Sequence, residues 1–281
     1  MKIICKHRTF IGEGPVWNRF DNKLYFVNSK ENEIIKLSIK SGEYETLKLA
    51  FPVSALAFNR QGQMLLSCPD GAYFLNSDYS RTLMYNANEC NFLYGNDAKV
   101  GPDGRFYIGT MSSKRKGVSD KVDGKLYSID TSGTVKILLD NLKLSNGMEW
   151  SIDEKYFYHT DSDTGIIKEY SFNKQTGDIA FTGRSVEVTG VDGFTIDKNG
   201  ILYVACWGQG HIALVDSAKM QITGYIEVPT KIPASCCFAG ENLDSLIVVT
   251  ATFMQDVTIE KNAGFTFICK TNSQGRTPYL F

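Results

Sequence analysis

The stretch GNDAKVGPDGRFYIGTM, Gly95 to Met111, decides the fold. Its centre, Pro102-Asp103-Gly104, reads as a turn, because proline presets φ and glycine accepts φ > 0. Phe106-Tyr107-Ile108 then reads as a strand, rich in aromatic and β-branched residues. A short apolar strand stands ahead of the turn, so the unit is strand, tight turn, strand. One feature is out of place: the polar pair Asn96-Asp97 stands where the first strand should begin apolar.

The same unit recurs along the chain, its second strand appearing as KLYFVN, QMLLSC, RFYIGTM, KYFYHT, ILYVAC and SLIVVTA. The middles of the six first strands are Trp17, Phe58, Val100, Trp150, Ile196 and Phe238, spaced 41 to 50 residues apart. Segments such as EIIKLSI, GKLYSID, IIKEYSF and HIALVD supply outer strands. No stretch has the period of an amphipathic helix. About four strands per repeat at this spacing is the signature of a β-propeller. The expected architecture is all-β, a single six-bladed propeller domain over residues 1–281 with one metal site on its axis. The N-terminal KIIC has no repeat of its own; pairing with the last one would remove an exposed sheet edge.

A formal net charge of −1 offers no field for phosphate backbones or anionic lipid, so neither nucleic acid nor membrane is an expected partner. The longest apolar runs are too short for a membrane span. MKIICKHRTF lacks the apolar core and cleavage site of a leader, so a cytoplasmic protein is expected. Seven cysteines, including Cys90, show no CxxC spacing and are expected to be mostly small core residues. The oligomeric state has no signature.

Four residues before each strand middle stand Glu13, Ser54, Asn96, Asn146, Asp192 and Ala234. First strands line a propeller's axis, so these positions form a ring around the channel mouth. Each residue alone would pass for a turn former. Glu, Asn, Asn and Asp in one register ask for more, since converging carboxylates repel unless compensated. Two carboxylates and two amide carbonyls are hard donors, suited to Ca²⁺, Mg²⁺ or Mn²⁺. No His or Cys is in the set, which argues against a dedicated zinc site.

The segments GEGPVW, NDAKVGPDGRFYIGTM, SNGMEWS, DGFTID, LYVACW and SCCFAG resemble the SMP-30/gluconolactonase/luciferin-regenerating-enzyme family, in its order and over most of the chain. The resemblance implies a six-bladed propeller with one divalent metal, Ca²⁺ first and Zn²⁺, Mg²⁺ or Mn²⁺ as alternatives, and lactone hydrolysis. It implies that Glu13, Asn146 and Asp192 ligate the metal, that Asn96 contacts metal or substrate, and that Asp192 also moves protons. Two positions depart from the gluconolactonase pattern. Tyr94 stands in place of an Arg and Lys114 in place of a Glu, both in the substrate-binding region.

The expected reaction is opening of a small lactone or other ester by a polarised carbonyl and a water, with Asp192 as base. Asp97 should point away from the axis if the pleat already holds there, and orient Asn96 or cap the turn. The second strands end near the mouth at Asn28, Met111, Asp161 and Trp207, the candidate pocket walls; for Asp161 a capping role is the simpler reading. The basic loop SSKRKG, Ser112 to Gly117, follows one of these ends and is a candidate lid. His7, His159 and His211 share no motif and read as surface or packing residues. A phosphotriesterase using the same Lewis acid and a non-catalytic, ligand-binding propeller stay open as alternatives.

Overall fold

The computed structural model describes residues 1–86, 92 and 94–281; the expected core residue Cys90 lies outside them. The strands form six antiparallel four-stranded sheets, and the fold class is the all-β six-bladed propeller that the spacing predicts. Five sheets take four successive strands, their first strands being Gly12–Asn18, Ala55–Phe58, Gly95–Val100, Ser145–Trp150 and Val191–Ile196. The sixth begins at Pro233–Ala239, and its outermost strand is the N-terminal Lys2–Cys5, paired antiparallel with Thr266–Lys270. Both ends of the sequence therefore build one sheet.

The chain forms two compact units, residues 1–52 with 186–278, and residues 53–185 with 279–281. Within the second unit the opening stretch explains itself. Alternation sends Phe106 and Ile108 to one face, against Ala57, Leu65 and Val100. Tyr107 goes to the other, against Trp150 at 4.8 Å and Phe157 at 5.9 Å between ring centroids. A strand covered on both faces reads as a continuous apolar run rather than an alternating one. Fully buried rings such as Trp150 contribute about 3–5 kcal/mol each, judged by the cost of truncation.

The same logic places the adjacent pair Cys236-Cys237 in the first unit. Cys237 packs with Trp17 and Phe26 of the first sheet, and Cys236 with Tyr203 and Val248 on the opposite face. Both are buried free thiols, as are Cys5, Cys68 and Cys206, in the small-core role expected of them. Among the described residues no helix is long and apolar enough to cross a membrane.

Candidate metal centre

The first strands share a defect at the positions singled out in the sequence. In five sheets the pairing of first to second strand slips by one residue there. The slip falls between Glu13 and Val16, Gly95 and Ala98, Asn146 and Met148, Val191 and Phe194, and Pro233 and Ser235. Such bulges insert an unpaired residue, bend the strand and re-aim side chains, and they gather next to functional sites. The second sheet pairs regularly from Ala55 onward, and Ser54 donates its hydroxyl locally to the Ser67 carbonyl at 2.9 Å. The pleat assumed for Asp97 is broken by the bulge. The Asp97 carboxylate accepts the N–H of the next residue, Ala98, at 2.9 Å, inside the strand Gly95–Val100 rather than at a turn. Desolvation raises its carboxyl above the ordinary range, against the nearby Lys99 charge.

In the second unit Asn96 and Asn146 are linked through Ser145. The Asn96 side-chain amide donates to the Ser145 carbonyl at 3.1 Å, which turns its own carbonyl oxygen away from that contact. Asn146, 4% exposed, follows Ser145 directly and bends its Oδ1 onto the Gly147 N–H at 3.1 Å. Behind them Ser145 Oγ lies 2.8 Å from His159 Nε2, both groups buried. Asp161 accepts the N–H groups of Lys143 and Leu144, each at 2.9 Å, and so caps the approach to this strand rather than walling a pocket. Three residues beyond the ring positions, Lys99 donates to the buried Glu149 at 3.0 Å. The two first strands are thus tied at Asn96–Ser145 and again at Lys99–Glu149.

His159 is a packing residue, as the sequence suggests, with an added hydrogen-bonding task. Burial pushes its pKa down to about 4, with the Asp161 charge opposing and the Lys168 charge assisting. In the unfolded chain it takes a proton below about pH 6.5, but in the folded protein only near pH 4. Stability from this group is therefore whole above pH 6.5 and falls by about 3 kcal/mol as pH drops toward 4. Urea unfolding of the wild type and His159→Gln across that interval measures it. The wild type should lose stability more steeply between pH 6.5 and 5, and parallel curves would refute the assignment.

In the first unit, Glu13 is half-buried and Asp192 is 6% exposed. Asp192 is followed by Gly193 because a Cβ there would stand 2.2 Å from Ser235 Oγ, leaving no room for a side chain. The Asp192 charge adds to burial in pushing the Cys206 thiol up to about 11, so that thiol stays protonated beside it. Trp207 is half-buried, its ring 6.1 Å from that of Phe253, and its backbone N–H donates to the Gly190 carbonyl at 2.6 Å. Asn28 is spent on the Phe10 N–H and on Glu33, both at 2.9 Å, which makes it a structural residue.

The two departures from the gluconolactonase pattern, Tyr94 and Lys114, both belong to the second unit. Tyr94 adopts φ of +54°, a left-handed conformation costly for a bulky residue. Its N–H donates to the Pro69 carbonyl at 2.6 Å, and its carbonyl accepts the Met111 N–H at 2.9 Å. Met111 is half-buried beside it. Lys114 is exposed, and the cation lying over the Tyr94 ring is Lys116, 5.6 Å from the centroid. Lys116, Ser145 and the Lys99–Glu149 pair escape a reading confined to the ring register. The last pair was within reach, since both residues lie three places beyond a ring position.

Among the described residues no three His, Cys, Asp or Glu side chains gather; the expected donor set contains two carboxylates only. A family model described as the SMP-30/Gluconolactonase/LRE-like region matches residues 11–252. Human regucalcin is 30% identical over 282 residues, covering 96% of this chain and 94% of that protein. YvrE of Bacillus subtilis, which carries the name of a putative sugar lactone lactonase, is 29% identical over 283 residues, covering 98% and 96%. The solved structure of a calcium-binding protein, regucalcin from Agrobacterium tumefaciens, shares the fold. Its TM-score is 0.88 over 99% of this chain and 96% of that one, at 24% identity. The family model's match over residues 11–252 and the relatives that span the chain agree, and the chain belongs to the SMP-30/gluconolactonase/LRE-like family.

Proposed function

We propose that the protein is a divalent-cation-dependent lactonase of the cytoplasm, acting on a sugar-derived or other small lactone. One observation carries the reading: hard oxygen donors occupy bulged first-strand starts in a single register, with Asn146 and Asp192 buried. The lactonase name of a relative spanning the chain supports the substrate class. The donors fit the ion. Two carboxylates and two amide carbonyls carry a formal −2, favour Ca²⁺, Mg²⁺ or Mn²⁺, and offer Zn²⁺ neither thiolate nor imidazole. Burying a carboxylate such as Asp192 costs several kcal/mol unless compensated, and a cation would compensate it.

Glu13, Asn146 and Asp192 would hold the cation, with Asn96 meeting metal or substrate. Bound there, the ion would polarise the lactone carbonyl and stabilise negative charge developing on its oxygen. Asp192 accepts a proton from the attacking water. The water oxygen bonds to the acyl carbon, the ring C–O bond breaks, and the ring oxygen takes up the proton to give a hydroxy acid. Asn96, tethered through its amide to the Ser145 carbonyl, would offer its carbonyl oxygen to the metal or the substrate. Tyr94, Met111 and Trp207 would be the apolar contacts of the substrate, with Lys114 on the loop after Met111.

Chelated protein should lose about 10³-fold in lactone turnover, the scale of a Lewis acid worth several kcal/mol, and regain it when Ca²⁺ is restored. At a hundredfold excess over its dissociation constant the ion should also stabilise the fold by about 2.7 kcal/mol. Metal-stabilised protein that opens no aldonolactone or alkyl lactone would remove the lactonase reading.

A further inference from the structure

Three aromatic rings form a continuous strip in the first unit. The Phe253 ring lies 5.7 Å from that of Phe10, edge to face, and 6.1 Å from that of Trp207. None is fully buried: Phe10 is 39% exposed, and Phe253 and Trp207 are half-buried. The backbone beneath them is fixed. The Phe10 carbonyl accepts the N–H groups of Thr252 and Phe253 at 3.1 and 3.2 Å, and Gly190 holds the backbone N–H of Trp207. Both ends of the strip join the segments that lead to the proposed carboxylate ligands. Gly190 stands two residues before Asp192, and Phe10 three before Glu13, with Ile11 bridged to Ala251. The polar side chains beside Phe10 and Phe253 are already engaged. Thr9 donates its hydroxyl to the Thr250 carbonyl at 2.7 Å, Thr252 to the Thr9 carbonyl at 3.2 Å, and Asn28 is spent on the Phe10 N–H and Glu33. Next to Phe253, Met254 is 85% exposed at φ of +55°, a strained conformation of the kind retained where function uses it.

We propose that the site prefers lactones carrying an apolar substituent, a short alkyl chain, laid along Phe10, Phe253 and Trp207. The inference rests on the lactonase reading for the ring that opens, but not for the binding of the chain. A pre-formed aromatic lining with few polar groups is the usual composition of a small-molecule subsite, and apolar surface left in contact with water marks a place where something binds. A polyol on this strip would give up water from its hydroxyls and gain no partner from Thr9, Thr252 or Asn28, which costs affinity. An alkyl chain there loses only unfavourable hydration. Met254 adds a flexible thioether beside Phe253, suited to chains of varied shape. The substituent takes no part in the reaction, and opening consumes water alone.

The test measures kcat/KM for γ-lactones whose ring-carbon substituent lengthens from methyl to hexyl, with a neutral aldonolactone alongside. The wild type is compared with Phe253→Ala, Phe10→Ala and the control Phe181→Ala, an exposed ring on the outermost strand Ile179–Glu187. Each added methylene should raise kcat/KM about threefold until the strip is covered, through KM rather than kcat. The rise should flatten in Phe253→Ala and Phe10→Ala and persist in Phe181→Ala. Lactone turnover that ignores chain length overturns the inference and leaves the lactonase standing. A second readout is calorimetric binding of the matching alkyl lactams, which carry no ester to open. Affinity that rises with chain length in the wild type and not in Phe253→Ala supports the inference even if no lactone turns over, and flat affinity overturns it. A dimer in sedimentation, or binding to phosphatidylcholine vesicles, that Phe10→Ala abolishes would give the strip to a second copy or to lipid and overturn it as well.

Discussion

Asp192→Asn should lower kcat/KM for lactone hydrolysis by about 10³-fold or more, while the protein stays folded. The substitution is isosteric and keeps one carbonyl oxygen, so the strand Val191–Ile196 and its close approach at Gly193–Ser235 survive. Two things are lost together. The donor set falls from two carboxylates to one, and the only ring carboxylate proposed to accept a proton is gone. Removing a general base alone costs about 10²–10⁴-fold, and 10³-fold corresponds to about 4 kcal/mol of transition-state stabilisation. Titrating Ca²⁺ into the variant separates the roles. Activity recovered at saturating metal would leave Asp192 a ligand and nothing more. A deficit in kcat that metal does not repair is the expected result and identifies the proton acceptor. Wild-type kcat/KM in the variant would falsify the site.

How far the sequence reached follows from what a single strand can say. Strand identity and repeat spacing are local properties, so the six sheets and the register of Glu13, Asn96, Asn146 and Asp192 were legible. The bulges were not, because an extra residue is visible only against the partner strand. Gly95 faces Thr110 while Ala98 faces Ile108, and nothing within Gly95–Val100 announces that mismatch. This is why the pleat assumed for Asp97 fails, and its carboxylate is spent on the neighbouring Ala98 N–H within the bulge rather than on a turn. The Ser145–His159 contact is likewise cross-strand and diagonal, between residues 14 apart, since Ser145 faces Asp161 while His159 faces Met148 across the bulge. Lys116 was hidden differently. Attention to a departure from a family pattern pointed to Lys114, but the fold of the loop carries Lys114 to the surface and lays Lys116 over Tyr94.

Asn96→Asp separates two views of that residue and has the second large expected effect. If Asn96 mattered only as an oxygen donor, a carboxylate in its place would bind a hard cation more tightly and do little else. The hydrogen bonding predicts otherwise. The Asn96 amide donates to the Ser145 carbonyl, whose residue is in turn tied to His159 and leads directly into Asn146. A carboxylate cannot donate; it would face the Ser145 carbonyl oxygen and add a third negative charge to the set. Leaving one buried acceptor unsatisfied costs about 1–3 kcal/mol, so metal-free Asn96→Asp should unfold at correspondingly lower denaturant. Displacing the strand that carries Asn146 should also cost activity by about 10²-fold, the usual toll of a misplaced ligand shell. Asn96→Ser, which keeps a donor on a shorter side chain, should be the milder change in stability. Metal-free Asn96→Asp as stable as the wild type would mean that the amide is no strut. The donor set would then be held by the bulges alone, and the charge introduced at position 96 would simply add to the site.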